Sequence, residues 1–400
     1  MPIWTLDDLA PAELRGRRVF VRVDFNVPLD GTRVLDRTRL EAALPTLREL
    51  IAAGARLVLA SHCGRPKGEP NPRYSLAPVA GELAELLGQE VAFAADCVGE
   101  VAEAAAASLG DGDVLLLENL RFHAGEKAND PAFADRLSAL GDIFVGDAFG
   151  AAHRAHASVV GVAERLSAKA AGRLMTREVE ALGGLLGEPA RPFVAILGGA
   201  KIEGKIDTLE NLLPRLDGLI LGGGMANTFL AARGHGMAKS LVEEERIGLA
   251  AEILARAEAR GTDVLLPSDV VVTDDFASPR HVETVDVGAI PADTLAVDVG
   301  PVSRARFIEK AKTAGTLFWN GPLGVFEKPP FHEGTQAVAD ALVDCPGFTV
   351  IGGGETVAAV RRAGVADRLG HVSTGGGASL ELLAGKSLPG VEALAKRVES

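Results

Sequence analysis

Apolar residues in this chain follow two spacings that alternate from end to end. Short β-branched or leucine-rich runs occur at Val19–Val23, Arg56–Ala60, Val114–Leu117 and Ile143–Val145. A second series runs through Phe193–Leu197, Leu219–Leu221, Val264–Leu266, Leu317–Trp319 and Phe348–Ile351. Ala/Leu/Glu segments with helical spacing lie between many of them. In LAPVAGELAELLG, residues Leu76, Val79, Ala80, Leu83 and Leu87 fall on one helix face. Strands separated by helices predict βαβ units, whose parallel sheets are covered on both faces. Two such series predict an α/β chain with two doubly wound (Rossmann-like) parallel-sheet domains. The segment AGRLMTREVEALGGLLG reads as one helix, with an E-P-A-R-P break after it, and is assigned as the interdomain helix. The domains are then 1–170 and 171–385, with a short amphipathic tail over 386–400.

Composition narrows the classes. A chain of 400 residues exceeds one ordinary core, which agrees with two domains. Hydrophobic content of 47% with 24% charged residues fits a soluble globular protein. The net charge of -13 argues against a nucleic-acid partner, so any phosphorylated ligand needs locally concentrated positive charge. Cys63, Cys97 and Cys345 form no CxxC pair, which argues against a disulfide framework or a zinc site and for a reducing compartment. The N-terminal segment lacks an apolar core and no apolar run reaches membrane-spanning length, so a cytoplasmic protein with no membrane partner is expected. With aromatic content at 4%, Trp4 and Trp319 read as core residues.

The second half carries its chemistry on glycine. LGGAK (Leu197–Lys201), LGGGMA (Leu221–Ala226), IGGGET (Ile351–Thr356) and TGGGAS (Thr374–Ser379) directly follow apolar runs. In open parallel sheets ligands bind outside the carboxyl ends of the strands. Glycine lets backbone N–H groups approach an anion there, and a following helix start adds a favourable dipole. GAKIEGKI, residues 199–206, matches the phosphate-loop spacing except at Ile206, where a hydroxyl is needed, and its second glycine falls in a helical-looking segment. A phosphate loop is therefore rejected. Lys201 and Lys205, four apart, are expected on one helix face near the glycine edge. GGGMAN (Gly222–Asn227) fails the dinucleotide pattern at its last position.

The first half carries charge at the same kind of edge. RVDFNVP places Asp24 and Asn26 after the first strand, and Arg39 begins the next helix. SHCGRP brings His62 and Arg65, ENLRFH brings Arg121, and DAFGAAHRAHAS brings His153, Arg154 and His156. Any single arginine is more simply a solvated charge. Arginines and histidines at successive strand ends instead suggest a site for a small, multiply anionic ligand.

With FWNGPLGVFE and HVSTGGGASLELL added in order, these motifs make the chain resemble the phosphoglycerate kinases over essentially its whole length. The resemblance implies reversible phosphoryl transfer between ATP and the carboxylate of 3-phosphoglycerate, giving ADP and 1,3-bisphosphoglycerate, with Mg²⁺. It implies that the first domain binds phosphoglycerate through Asp24, Phe25, Asn26, Arg39, His62, Cys63, Gly64, Arg65, Arg121 and Arg154. It implies that the second binds the nucleotide. Gly199, Ala200, Gly223, Gly224 and Gly300 would border the base and ribose, and Glu327 would reach the ribose. Asn320, Lys201, Lys205, Gly353, Gly354 and Thr356 would serve the phosphates. Arg39, Lys205, Gly353 and Gly376 would act in catalysis, and Glu355 would hold the Mg²⁺. Domain closure, a monomer, and a tail returning to the first domain complete what it implies.

Four positions depart from the family's wording: Cys63 for Leu, Gly146 and Ala151 for Asn and Thr, and Glu355 for Asp. The chemistry also accounts for what is missing. A carboxylate nucleophile is already ionised at neutral pH, so no general base is required. The rival readings are a nicotinamide-dependent oxidoreductase, which needs GxGxxG after the first strand, and a binding protein that kept the fold without activity.

Overall fold

The computed structural model describes residues 2–396. It divides into two compact units, one reaching to Glu180 and resuming at Ser387, the other spanning Ala181–Lys386. The division falls inside a helix, Arg173–Leu186, at the place where the sequence predicts one.

The first unit holds strands β1 (Arg18–Val23), β2 (Arg56–Ala60), β3 (Val91–Ala94), β4 (Val114–Leu117), β5 (Ile143–Asp147) and β6 (Lys169–Ala171). They form one sheet in the order β3-β4-β2-β1-β5-β6, parallel throughout. The chain runs outward on one side of β1, then crosses to β5 on the other. β1 is buried almost end to end, because helices cover both faces of the sheet. The helix Thr38–Ala52 follows β1, with Leu40, Leu44 and Leu47 against the sheet. In the helix Ala77–Leu87, Val79, Ala80 and Leu83 are buried and Leu87 is half-buried, as the spacing predicts. The tail segment packs on this unit through Trp4 N to Leu394 O (2.8 Å), Gly390 N to Ala152 O (2.8 Å) and a bridge pairing Ile3 with Ala395. Residues 397–400 of the predicted tail lie outside the described residues.

The second unit holds β7 (Phe193–Leu197), β8 (Gly218–Leu221), β9 (Asp263–Leu265), β10 (Asp269–Thr273), β11 (Val282–Asp286), β12 (Leu295–Val299), β13 (Thr316–Asn320), β14 (Phe348–Gly352) and β15 (His371–Val372). Six of them form a parallel sheet, β9-β8-β7-β13-β14-β15. The direction of travel reverses between β7 and β13. The other three form a small antiparallel sheet, β11-β10-β12, which the sequence reading did not anticipate. β11 alternates exposed and half-buried residues with acids among them, so it carries little apolar signal.

Two local expectations are corrected. Lys201 and Lys205 do not share a helix face: the helix begins at Ile206, and both lysines lie in the preceding turns, with Gly204 at φ +82°. Trp4 is not core. It is 40% exposed, with the Lys396 ammonium 5.1 Å from its ring centroid, whereas Trp319 is fully buried.

Candidate active site

In the first unit the predicted charged residues gather at the carboxyl ends of β1, β2, β4 and β5, around the point where the strand order reverses. Arg39 Nη1 donates to Asp24 Oδ2 at 2.7 Å. Asn26 Oδ1 accepts from Gly64 N at 2.8 Å, and Phe25 N donates to Ser61 Oγ at 2.8 Å. Arg121 Nη1 donates to Gly64 O at 2.8 Å. Arg154 Nε donates to His153 Nε2 at 3.0 Å. Arg65 is exposed. Cys63 is buried, its sulfur 3.7 Å from Val27 O, and burial raises its thiol pKa, so it is an inert packed thiol.

The cations crowd one another. Burial first, then Arg154 and Arg22, pull the Arg121 guanidinium down to about 10. Its Nε is buried and has no hydrogen-bond partner among the described residues. A buried donor without a partner costs about 1–3 kcal/mol, which an anion can relieve. His62 is held well below its usual pKa by burial, then by Arg22, Arg121, Arg39 and Arg154, so it is neutral. This arrangement can bind a small polyanion.

Sequence reasoning missed the support beneath it. Arg22, inside β1, is 1% exposed. Its Nε donates to Ser158 Oγ (2.8 Å), which donates to the buried Glu126 (2.7 Å), and its Nη2 lies 3.1 Å from His62 Nδ1. An arginine within an apolar strand was the available signal, since a charge is buried only when paired and hydrogen-bonded.

In the second unit the glycine turns meet where β7 and β13 part. Gly198 N donates to Asn320 O (2.9 Å) and Gly199 N to Pro322 O (2.7 Å). Gly223 has φ +63°, and a Cβ there would lie 2.7 Å from Gly199 N and Pro322 O, so only glycine fits. A cavity of about 320 Å³ opens beside these turns, and Gly199, Ala200, Gly223, Gly224, Glu327 and Glu355 line it. Its remaining wall includes Asn227, Leu241, Phe276 and Leu323 with residues of β10 and β12, which were not foreseen. Asp298, also lining it, is buried and accepts from Val299 N (2.9 Å) and Gly334 N (2.7 Å); burial pushes its carboxyl up to about 7.

Around Lys205, Asn320 and Gly353 the groups are unevenly partnered. Lys205 Nζ donates to Gly198 O, and burial pulls its pKa down to about 8 against the opposing pull of Glu355. Asn320 is 2% exposed, and its Nδ2 has no partner among the described residues. A Cβ on Gly353 would lie 2.7 Å from that nitrogen. Gly353, at φ +83°, caps the helix Gly354–Arg362. Thr356 is buried, and its hydroxyl oxygen accepts from Gly321 N at 2.6 Å, tying this helix start to the turn after β13. Gly376 opens the short helix Gly377–Leu383, Gly300 caps Pro301–Lys312, and Lys201 is exposed. Glu355 is exposed on the cavity wall: its Oε2 and Lys205 Nζ both lie within 4 Å of where a Cβ on Gly199 would be. A single carboxylate on the cavity wall, with Lys205 close by, suits a Mg²⁺ shared with substrate phosphates.

Comparison with known proteins agrees with this geometry. A family model described as phosphoglycerate kinase matches residues 6–386. Among the most similar relatives is the phosphoglycerate kinase of Moorella thermoacetica, 54% identical and covering 98% of this chain and 99% of its own. That of Streptomyces coelicolor is 51% identical over the same shares. Of solved structures, the phosphoglycerate kinase from Coxiella burnetii matches with a TM-score of 0.89 at 39% identity, covering 98% of this chain and 99% of its own. The one from Pyrococcus horikoshii gives 0.85 at 33%, covering 98% of each. Nothing among these supports the oxidoreductase alternative. The chain belongs to the phosphoglycerate kinase family, enzymes that transfer a phosphoryl group reversibly between ATP and the carboxylate of 3-phosphoglycerate.

Proposed function

We propose that each substrate has its own unit: 3-phosphoglycerate at the arginine cluster of the first, ATP or ADP in the glycine-lined cavity of the second. The observation that carries this is the unequal partnering of buried donors. Arg121 Nε in one unit and Asn320 Nδ2 in the other are buried without acceptors, and both belong to surroundings that suit phosphate or carboxylate oxygens.

The substrate carboxylate attacks without a base. His62, neutral, donates rather than abstracts. Arg39 and the Arg121–Arg154 group orient the phosphoglycerate, and Lys205 neutralises charge on the moving phosphoryl group. Gly353 and Gly354 offer backbone N–H groups at a helix start, and Gly376 offers a second turn. Glu355 would hold Mg²⁺, which supplies charge neutralisation across the nucleotide phosphates. With ligands on separate units, reaction requires hinge closure, which also excludes water. The protein works as a cytoplasmic monomer in this reading.

Calorimetry with a coupled assay tests it. Arg121→Met should lose 3-phosphoglycerate binding and keep ADP binding, and Gly223→Ala should do the reverse. Wild-type turnover should require ATP, 3-phosphoglycerate and Mg²⁺ together. Loss of both ligands in either folded variant, or of neither, would overturn the assignment.

A further inference from the structure

Next to the turn that carries Arg121, three donors of three chemical kinds meet in the first unit. Asp96 and Cys97 follow β3, and His123 follows the Leu120–Phe122 turn. His123 Nε2 lies 2.7 Å from Asp96 Oδ1, and one ligand atom from each of the three residues lies within 4.8 Å of the others. Cysteine spacing along the chain argued against a zinc site. It could not register one cysteine brought to a distant histidine by the fold.

We propose that Asp96, Cys97 and His123 form a binding site for a divalent ion of the zinc type. A thiolate sulfur, an imidazole nitrogen and a carboxylate oxygen make the mixed set that Zn²⁺ accepts in tetrahedral geometry, at about 2.0–2.3 Å per ligand. Mg²⁺ and Ca²⁺ prefer oxygen alone. The site is closed on one side and open on the other. Cys97 is 1% exposed, while the side chains of Asp96 and His123 are 44% and 30% exposed. An ion held from below would thus keep a fourth position for water. Phe133 stacks on the His123 ring, centroids 5.2 Å apart, and restrains its plane. Burial first, then the charges of Asp96, Glu126 and Glu118, hold the Cys97 thiol well above its usual pKa. A dication beside it would offset those acidic charges and let the buried thiol ionise.

The proton balance is simple. The thiol loses its proton to solvent as the S–metal bond forms. The His123 ring coordinates through the lone pair of one nitrogen and carries its proton on the other. No electron is transferred, and the thiol proton leaves as each ion binds. The ion would fasten the segment after β3 to the turn that carries Arg121.

Co²⁺ titration of the full chain, free of nucleotide, tests the site. The expected result is one equivalent bound, with tetrahedral visible bands and a thiolate-to-cobalt charge-transfer band. The charge-transfer band should persist in Cys345→Ala and vanish in Cys97→Ala. His123→Gln and Asp96→Asn, at part-exposed positions, should each weaken binding at least tenfold. They carry the test if Cys97→Ala does not fold. Absence of a thiolate band, its survival in Cys97→Ala, or unchanged affinity in both part-exposed variants would overturn the proposal.

Discussion

The guanidinium of Arg22 donates to Nδ1 of His62 across 3.1 Å, and this bond fixes which imidazole nitrogen carries the proton. A guanidinium has no lone pair to offer, so Nδ1 must accept. His62 is neutral, because burial and four arginines hold its pKa well below the usual value. Its proton therefore sits on Nε2. Nitrogen NMR of histidine-labelled protein should show His62 as the Nε2–H tautomer from pH 6 to 8. Arg22→Met should give a tautomer mixture and a His62 pKa closer to ordinary. It should also destabilise the fold by about 3–5 kcal/mol, because the buried Glu126 loses a countercharge. A pure Nε2–H tautomer in folded Arg22→Met would show that Arg22 does not set it.

Lys205 is costly to the free protein for the reason that it is useful. Its folded pKa is about 8, against roughly 10.4 in an unfolded chain. Between those values the unfolded state binds the proton more tightly, so stability rises with pH across that window. Below about pH 8 the whole penalty, on the order of 1–3 kcal/mol, is present. Lys205→Met should therefore melt several degrees higher than wild type at pH 7. The gain should shrink as pH climbs from 8 toward 10.5. Equal melting temperatures at pH 7 would mean that the ammonium is not desolvated.

Glu355 stands where a shorter acid is usual for the family, and it lies exposed on the cavity wall. Nucleotide phosphates beside it would repel its charge unless a cation intervenes. Glu355→Ala should raise the Mg²⁺ concentration for half-maximal activity by at least tenfold, and Glu355→Asp should leave it nearly unchanged. The Mg²⁺ titration decides: an unmoved midpoint in the alanine variant assigns Glu355 to helix-start stabilisation only, worth a few tenths to one kcal/mol.

The two parallel sheets were legible because their central strands are apolar runs ending in glycine or charge. β1 and β7 show this directly. Several strands that escaped are short or polar: β3 is VAFA, β6 is KAA, and β11 is VETVD. Missing the antiparallel sheet also hid the cavity wall that β10 and β12 supply, and with it Asp298. A spacing of four does not bring Lys201 and Lys205 onto one helix face, because the helix starts only at Ile206. Glycine at 199 and 204, both with positive φ, marks the turns that displaced it. Arg22, Glu126 and Ser158 had no motif, since a buried network is a property of three segments at once.

Half-buried Lys205 would supply positive charge to the phosphoryl group as it moves. Steady-state kinetics of Lys205→Met, in a coupled assay with saturating 3-phosphoglycerate and Mg²⁺, tests it most directly. An oriented charge of this kind is worth roughly 10²–10³ in rate. The prediction is a fall of that size in kcat with KM for ATP changed less than about tenfold, in a protein that melts no lower than wild type. A kcat within a few-fold of wild type would contradict the account.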